Sequence, residues 1–315
     1  MFRVTSYTRG ALLLGSFSAY SIAQLIILLE WGTYQTLNII SLAALCISFC
    51  FAVALPNVSW KDAFEKKKFL RDPTKLPDDE IRYKKYVKFH FSSLVEDVKV
   101  IYGNMFMLKW SVWWALASCA YFQVGNYIQT LWGTRTDLRN SDIYNGLTEA
   151  LCPLVSLPAV LLVQHLRVNW SRWGELCLAS CSLLNALILF WLSQTNSLIV
   201  MYAGYIVYRL IYETMITITQ SNLAEGLEMA SYGLVFGINT FIALVMQSIL
   251  TLVVNSALKL SIKPQFVVYS GFHFAVAAIF IVPLLFRVLL HPWRRLRGNG
   301  ENAGRDTLSH TSTHM

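Results

Sequence analysis

Residues 109–132 read KWSVWWALASCAYFQVGNYIQTLW, a lysine at the entrance followed by apolar and aromatic side chains, broken only by amides, hydroxyls and a glycine. A helix rises 1.5 Å per residue, so about 20 such residues cross a hydrocarbon core of about 30 Å. A barrel strand would alternate over about ten residues, and this run does not alternate. Seven further stretches of the same kind lie at 10–29, 38–56, 145–164, 174–194, 198–221, 230–254 and 266–289. The sequence therefore predicts an all-α membrane protein of about eight transmembrane helices. Composition agrees: 55% of residues are hydrophobic, 14% are charged and mean hydropathy is +0.47, values foreign to a soluble chain.

The formal charge of +8 would suit nucleic acid only if it formed one patch. Its lysines and arginines instead gather in alternate connections, as the positive-inside rule requires. With the long polar stretch after the second helix placed in the cytosol, only Arg135, Arg139, Lys259 and Lys263 fall outside, and Arg209 lies within a helix. Both termini are then expected in the cytosol, and the lipid bilayer, not nucleic acid, is the expected surrounding. The chain divides into two helices (1–56), a charged cytosolic central loop (57–108), a six-helix body (109–290) and a polar, disordered cytosolic tail (291–315). Lys66–Lys68 and Asp78–Glu80 mark the loop as solvated. Within it Phe91, Leu94, Val95, Val98 and Ile101 or Tyr102 share a helical face that could lie on the membrane surface or pack on the cytosolic ends of the helices, and packing is expected ahead of the surface.

All six cysteines, Cys46, Cys50, Cys119, Cys152, Cys177 and Cys181, fall inside predicted helices and are expected to be packing residues, which excludes a disulfide scaffold. No metal site and no cofactor is expected. P-loop, HExxH and GxSxG patterns are lacking, so the chain offers no soluble active site and no nucleotide engine. An enzyme is not expected.

Polar groups in hydrocarbon are costly and usually face a bundle interior or a wet cavity. Gln123, Asn126 and Gln129 recur at three-residue steps on roughly one face, fitting either ligand contact or interhelical hydrogen bonding. Glu149 lies about a turn inside the fourth helix, ahead of Pro153 and Pro158, where its carboxylate could meet a cation or stay at the solvated boundary. Tyr205, Arg209 and Glu213 recur every four residues in the sixth helix, so that Arg209 and Glu213 are expected to neutralise each other, as a structural pair or as a coupling switch. The seventh adds Asn239 and Gln247, with Gly233 and Gly237 forming a GxxxG suited to close helix contact.

WWALASCAYFQVGNYIQTLW with YNGLTEA after it, and ITITQSNLAEGLEMASYGLVFGINTFIAL further on, resemble the seventh, eighth, tenth and eleventh helices of solute carrier family 19, the reduced folate and thiamine transporters. The resemblance covers nearly the whole chain. It implies a major-facilitator fold, a plasma-membrane setting and secondary active transport of a water-soluble vitamin by alternating access of two helical halves. In that alignment the first helix resembles the family's fifth, and MFRVTSYTR the cytosolic stretch leading into it, so the first four helices are expected to be missing. That leaves a truncated, non-transporting vitamin-binding or regulatory protein as the alternative.

The same alignment implies a substrate. Asn126 and Glu149 match positions that the thiamine carriers use for their cationic ligand, and Gln247 stands where the folate carrier has a lysine for its anion. Arg209 matches an arginine of the folate carrier, but Glu213 one turn away offsets its charge. Thiamine is therefore expected ahead of folate, bound by Asn126, Glu149, Gln123, Gln247 and Tyr205, with Arg209 and Glu213 as the coupling pair.

Overall fold

The computed structural model describes residues 2–56, 95–96, 98–99, 101–134, 141–165, 168–227 and 232–311, with the backbone alone for 2, 141–144, 164, 171 and 287–311. The central loop from 57 to 94, with Phe91 and Leu94, lies outside these residues. Eight long helices follow the eight hydrophobic stretches: α1 (Phe2–Leu28), α2 (Tyr34–Ala54), α3 (Met105–Gly133), α4 (Ser141–Leu162), α5 (Trp170–Gln194), α6 (Leu198–Gly226), α7 (Tyr232–Thr251) and α8 (Ile262–Thr311). A 3-10 turn closes α4, and a π turn, Leu252–Ala257, continues α7. Among the described residues there is no strand.

Six of these helices, α1, α2, α4, α5, α7 with its π turn, and α8, are long and apolar enough to cross a membrane. The other two, α3 and α6, fall short because they carry the tryptophans, tyrosines and amides, or Arg209 and Glu213. They are also the helices with the fullest complement of buried residues. Neighbouring helices shield them, so they can afford polarity that a lipid-facing helix cannot. At the other extreme, α2 has no buried residue at all.

Side-chain pairing gives the relative directions of the helices. Ser111 meets Asn239, Gln123 meets Thr251 and Tyr127 meets Asn255, each pair 128 positions apart, so α3 and α7 run parallel. Lys109 with Glu175 and Trp113 with Ser182 make α5 parallel to α3. Asn145 with Tyr202 and Glu149 with Tyr205 make α4 and α6 parallel. Between α3 and α6 the order reverses: Met107 lies near Gly226, Ser118 bonds Tyr212, and Trp132 packs on Tyr202. α1 is antiparallel to α4, with Gly10 against Leu157 and Leu161 and Gly146 against Gln24. Thus α1, α3, α5 and α7 point one way and α4 and α6 the other, the alternation that a chain crossing back and forth produces. The protein is a multi-pass membrane protein.

Two apolar clusters make up the core. One gathers Met107, Trp110, Trp114, Tyr212, Met215 and Phe280; the other gathers Ile128, Trp132, Leu192, Tyr205, Tyr208 and Phe266. α3 and α6 run through both, and Tyr121 packs against both. Arg209 lies on α6 between Tyr205 of one cluster and Tyr212 of the other, so a charged layer separates two dry ones. Of the amphipathic face before α3, Ile101 is buried in the first cluster and the Tyr102 hydroxyl donates to Asn239 at 2.9 Å, whereas Val95 stays exposed.

α1 begins at Phe2 and takes Arg9 inside it, so the stretch leading into the first apolar run is itself helical. Two expectations are corrected. α8 runs on as helix to Thr311, through the stretch expected to be a disordered tail. Among the described residues Gly233 and Gly237 make no close helix contact, since a methyl group added at either meets nothing within 4 Å. The close approaches lie elsewhere: a methyl at Gly174 would stand 2.8 Å from the Trp110 ring, and one at Gly10 2.9 Å from Leu161.

Candidate functional site

The charged layer is built on the spine of α6, where residues four apart stand one above another. Tyr205, Arg209 and Glu213 occupy three successive turns. Helical side chains lean toward the N-terminus of their own helix, and Arg209 accordingly reaches back, its Nη1 donating to the Tyr205 hydroxyl at 3.1 Å. That hydroxyl donates in turn to Glu149 Oε1 at 3.4 Å. Arg209 Nη1 stands 3.7 Å from Glu149 Oε2, an ion pair beyond hydrogen-bonding distance.

Glu213 does not pair with Arg209. Its Oε2 accepts from Arg9 Nη2 of α1 at 2.6 Å, and its Oε1 accepts from the Tyr121 hydroxyl at 3.2 Å. The expected pair fails for a directional reason. With the arginine N-terminal to the acid, Arg209 leans away from Glu213, the weaker order for a helical charge pair. Tyr121 joins the two halves of the layer: the Arg209 guanidinium lies over its ring at 4.9 Å, and the ring stacks on Tyr212 at 3.8 Å. Ser118 holds the Tyr212 hydroxyl at 2.9 Å.

Arg9, Glu213, Arg209 and Glu149 thus form an alternating row of two cations and two anions with no net charge, which is how buried charges are tolerated. The row is tight at one end and loose at the other. Arg209 Nε and Arg9 Nε, both buried, have no hydrogen-bond partner among the described residues. Pro153 loosens the Glu149 end further, because it lacks the amide hydrogen that would close onto the Glu149 carbonyl one turn back. Trp132 walls this end, edge-on to Tyr205 at 5.4 Å. Such an arrangement can exchange charged partners at Glu149 while Glu213 holds α1.

The other expected ligand residues divide. Tyr205 and Glu149 join the row. Gln123 does not: it is fully buried on the opposite side of α3, where its amide donates to Tyr269 at 2.9 Å and accepts from Thr251 at 2.8 Å. Three-residue steps advance 300°, so Gln123, Asn126 and Gln129 spread over a third of the circumference. Gln123 enters the core, while Asn126 and Gln129 are exposed. Gln247 is half-buried on α7, and no contact among the described residues ties it to the row. Arg9 and Tyr121 were missed. Arg9 ends the polar stretch before the first apolar run and Tyr121 lies inside the apolar run of the third helix, and nothing in the sequence sets either apart.

Comparison with known proteins settles what kind of molecule carries this row. The model of the family described as reduced folate carrier matches residues 1–268. The chain belongs to the reduced folate carrier family. It is 46% identical over 296 residues to folate-like transporter 3 of Caenorhabditis elegans, covering 92% of this chain and 69% of that one. Folate-like transporter 2 of the same organism is 50% identical over 281 residues, covering 88% and 66%. Thiamine transporter 1 of Homo sapiens is 34% identical over 320 residues, covering 89% and 64%. The chain therefore spans about two thirds of the length of these relatives. The family is one of transporters, not enzymes.

Proposed function

We propose that the chain serves secondary active transport of a water-soluble vitamin across the plasma membrane, with both of its termini cytosolic, and that the vitamin is the cation thiamine. One observation carries the choice: the carboxylate of Glu149 is buried beside an arginine that it does not hydrogen-bond. A cationic ligand gains more from such a group than water does, because the low dielectric of the layer strengthens the attraction. Asn126, exposed three residues before Gln129 on α3, adds a neutral hydrogen-bonding group. Alternating access by rocking of helical halves is the mechanism that the family membership supports.

Folate is the second reading, favoured by the two relatives named folate-like at 46% and 50% identity and by the two arginines of the row. Each arginine already faces a carboxylate, which weakens the attraction for an anion. Uptake of labelled thiamine and labelled reduced folate, measured side by side in cells depleted of their own carriers, separates the two. The expected result is saturable thiamine uptake that Glu149→Gln abolishes at matched surface level. Thiamine uptake unchanged by Glu149→Gln would remove the carboxylate from the ligand site.

A further inference from the structure

We propose that Glu213 exchanges partners during the transport cycle, leaving Arg9 for Arg209 when a cationic ligand occupies Glu149, so that the ligand itself unlatches α1 from α6. The proposal rests on the cationic-vitamin reading above and names the regulation of the same site. In the structure Arg9 to Glu213, at 2.6 Å, is the ion pair between α1 and α6 among the described residues. Ser6, about one turn before Arg9, is fully buried.

Charge bookkeeping supplies the coupling. The row is neutral as it stands, and a cation docked on Glu149 would leave it one positive charge in excess in a low-dielectric layer. One arginine must go. Arg209 is the more firmly held, being in mid-helix between two apolar clusters, over the Tyr121 ring and against Tyr205, with its side chain 12% exposed. Arg9 has a route out, being near the first turns of α1 and with its side chain already 19% exposed. Lysines and arginines near helix ends carry their charge to the interface at low cost.

Glu213 then needs a new cation, and Arg209 is one helical turn away, within reach for an i, i+4 pair. Its Nε hydrogen has no partner among the described residues in the present arrangement. Tyr121 guides the exchange without moving far, since it already touches both partners: its hydroxyl holds Glu213 and its ring carries the Arg209 guanidinium. The two arrangements contain the same number of ion pairs once the ligand is counted, so a ligand of the right charge can tip the balance between them.

The test uses Ser6→Cys as a reporter in the full chain, with Cys46, Cys50, Cys119, Cys152, Cys177 and Cys181 replaced, in lipid nanodiscs. Labelling by a small water-soluble thiol reagent is timed with and without thiamine, and thiamine binding is measured on the same preparation. Thiamine should speed labelling roughly tenfold, within the usual range of coupling between sites, and a reduced folate should not. Glu213→Gln should label fast without ligand, Arg9→Lys should keep the slow rate and the thiamine response, and Glu149→Gln, which leaves the row with the same single positive excess as a docked cation, should label fast with or without thiamine. The double variant Arg9→Glu with Glu213→Arg restores the bridge but removes the alternative partner, because the new arginine repels Arg209. It should label slowly whether or not thiamine is present. Thiamine binding with no change in labelling would overturn the exchange and leave the transport reading intact. Absence of thiamine binding would overturn both.

Discussion

At the scale of single residues, the distinction that matters is between a polar group committed to holding helices together and one left able to change partners. Arg9 and Glu213 meet at 2.6 Å across two helices, whereas Arg209, one turn from Glu213 on the same helix, is turned to Tyr205 and Glu149. A double-mutant cycle on Arg9 and Glu213, read by thermal unfolding in detergent, should give a coupling energy in the range of about 0.5–3 kcal/mol. The cycle on Arg209 and Glu213 should give less, and equal couplings would mean that the intrahelical pair forms after all. Gln123 is of the committed kind, its amide used at both ends by Tyr269 and Thr251. Gln123→Ala should therefore cost about 1–3 kcal/mol of stability by leaving buried partners unsatisfied, with vitamin affinity unchanged in the folded fraction. A selective loss of affinity at full stability would return Gln123 to the ligand site. Glu149, Arg209 and Glu213 were legible in the sequence because a charge inside hydrocarbon is an anomaly wherever its partner lies. Arg9 was not, since a basic residue just ahead of an apolar run already has an ordinary explanation at the membrane boundary. Tyr121 was hidden for the same reason, aromatic side chains being common in helix cores.

At the scale of helices, what the sequence made plain was where apolar runs lie, and what it concealed was which small residues are close to a neighbour. A GxxxG spacing is a permission for close packing, and at Gly233 and Gly237 no described residue stands within 4 Å of an added methyl group. Gly174, with no such motif, lies beneath the edge of Trp110, a buried ring held between Trp170 and Phe106. The ring cannot give way as a flexible side chain would. Gly174→Ala should thus destabilise the protein by about 1–3 kcal/mol through overpacking, whereas Gly237→Ala should be neutral or stabilise it by up to about 1 kcal/mol through helix propensity. Thermal unfolding of the two variants side by side decides the point, and a larger loss at Gly237 would mean that α7 has a close neighbour there. The ends of the helices were concealed for a related reason: α1 starts eight residues before its apolar run, and hydropathy reports lipid contact while a helix may begin in whatever surrounds the bilayer.

At the scale of the whole molecule, alternation of helix direction was legible from charge, because lysines and arginines mark one side of a membrane irrespective of how the helices pack. Pairing across helices was not, because which turn of α3 faces which turn of α7 depends on packing that one sequence does not display. The two lines of argument are independent and agree. Registers place the starts of α3 and α5 and the end of α6 at one end of the bundle, and the ends of α3 and α5 and the start of α6 at the other. The first end carries Lys109, Arg172 and the sequon at Asn169; the second carries Thr134 and Thr195. If the positive-inside rule holds for this bundle, the first end is cytosolic. A cysteine at Thr195 in an otherwise cysteine-free chain should then react with an impermeant reagent on intact cells, while one at Asn169 should react only after permeabilisation, and Asn169 in the native chain should carry no glycan. Reaction at both positions on intact cells would break the alternation that the registers give. The reverse pattern would keep the alternation and invert the molecule, so that the latch formed by Arg9 and Glu213 would seal the outer side.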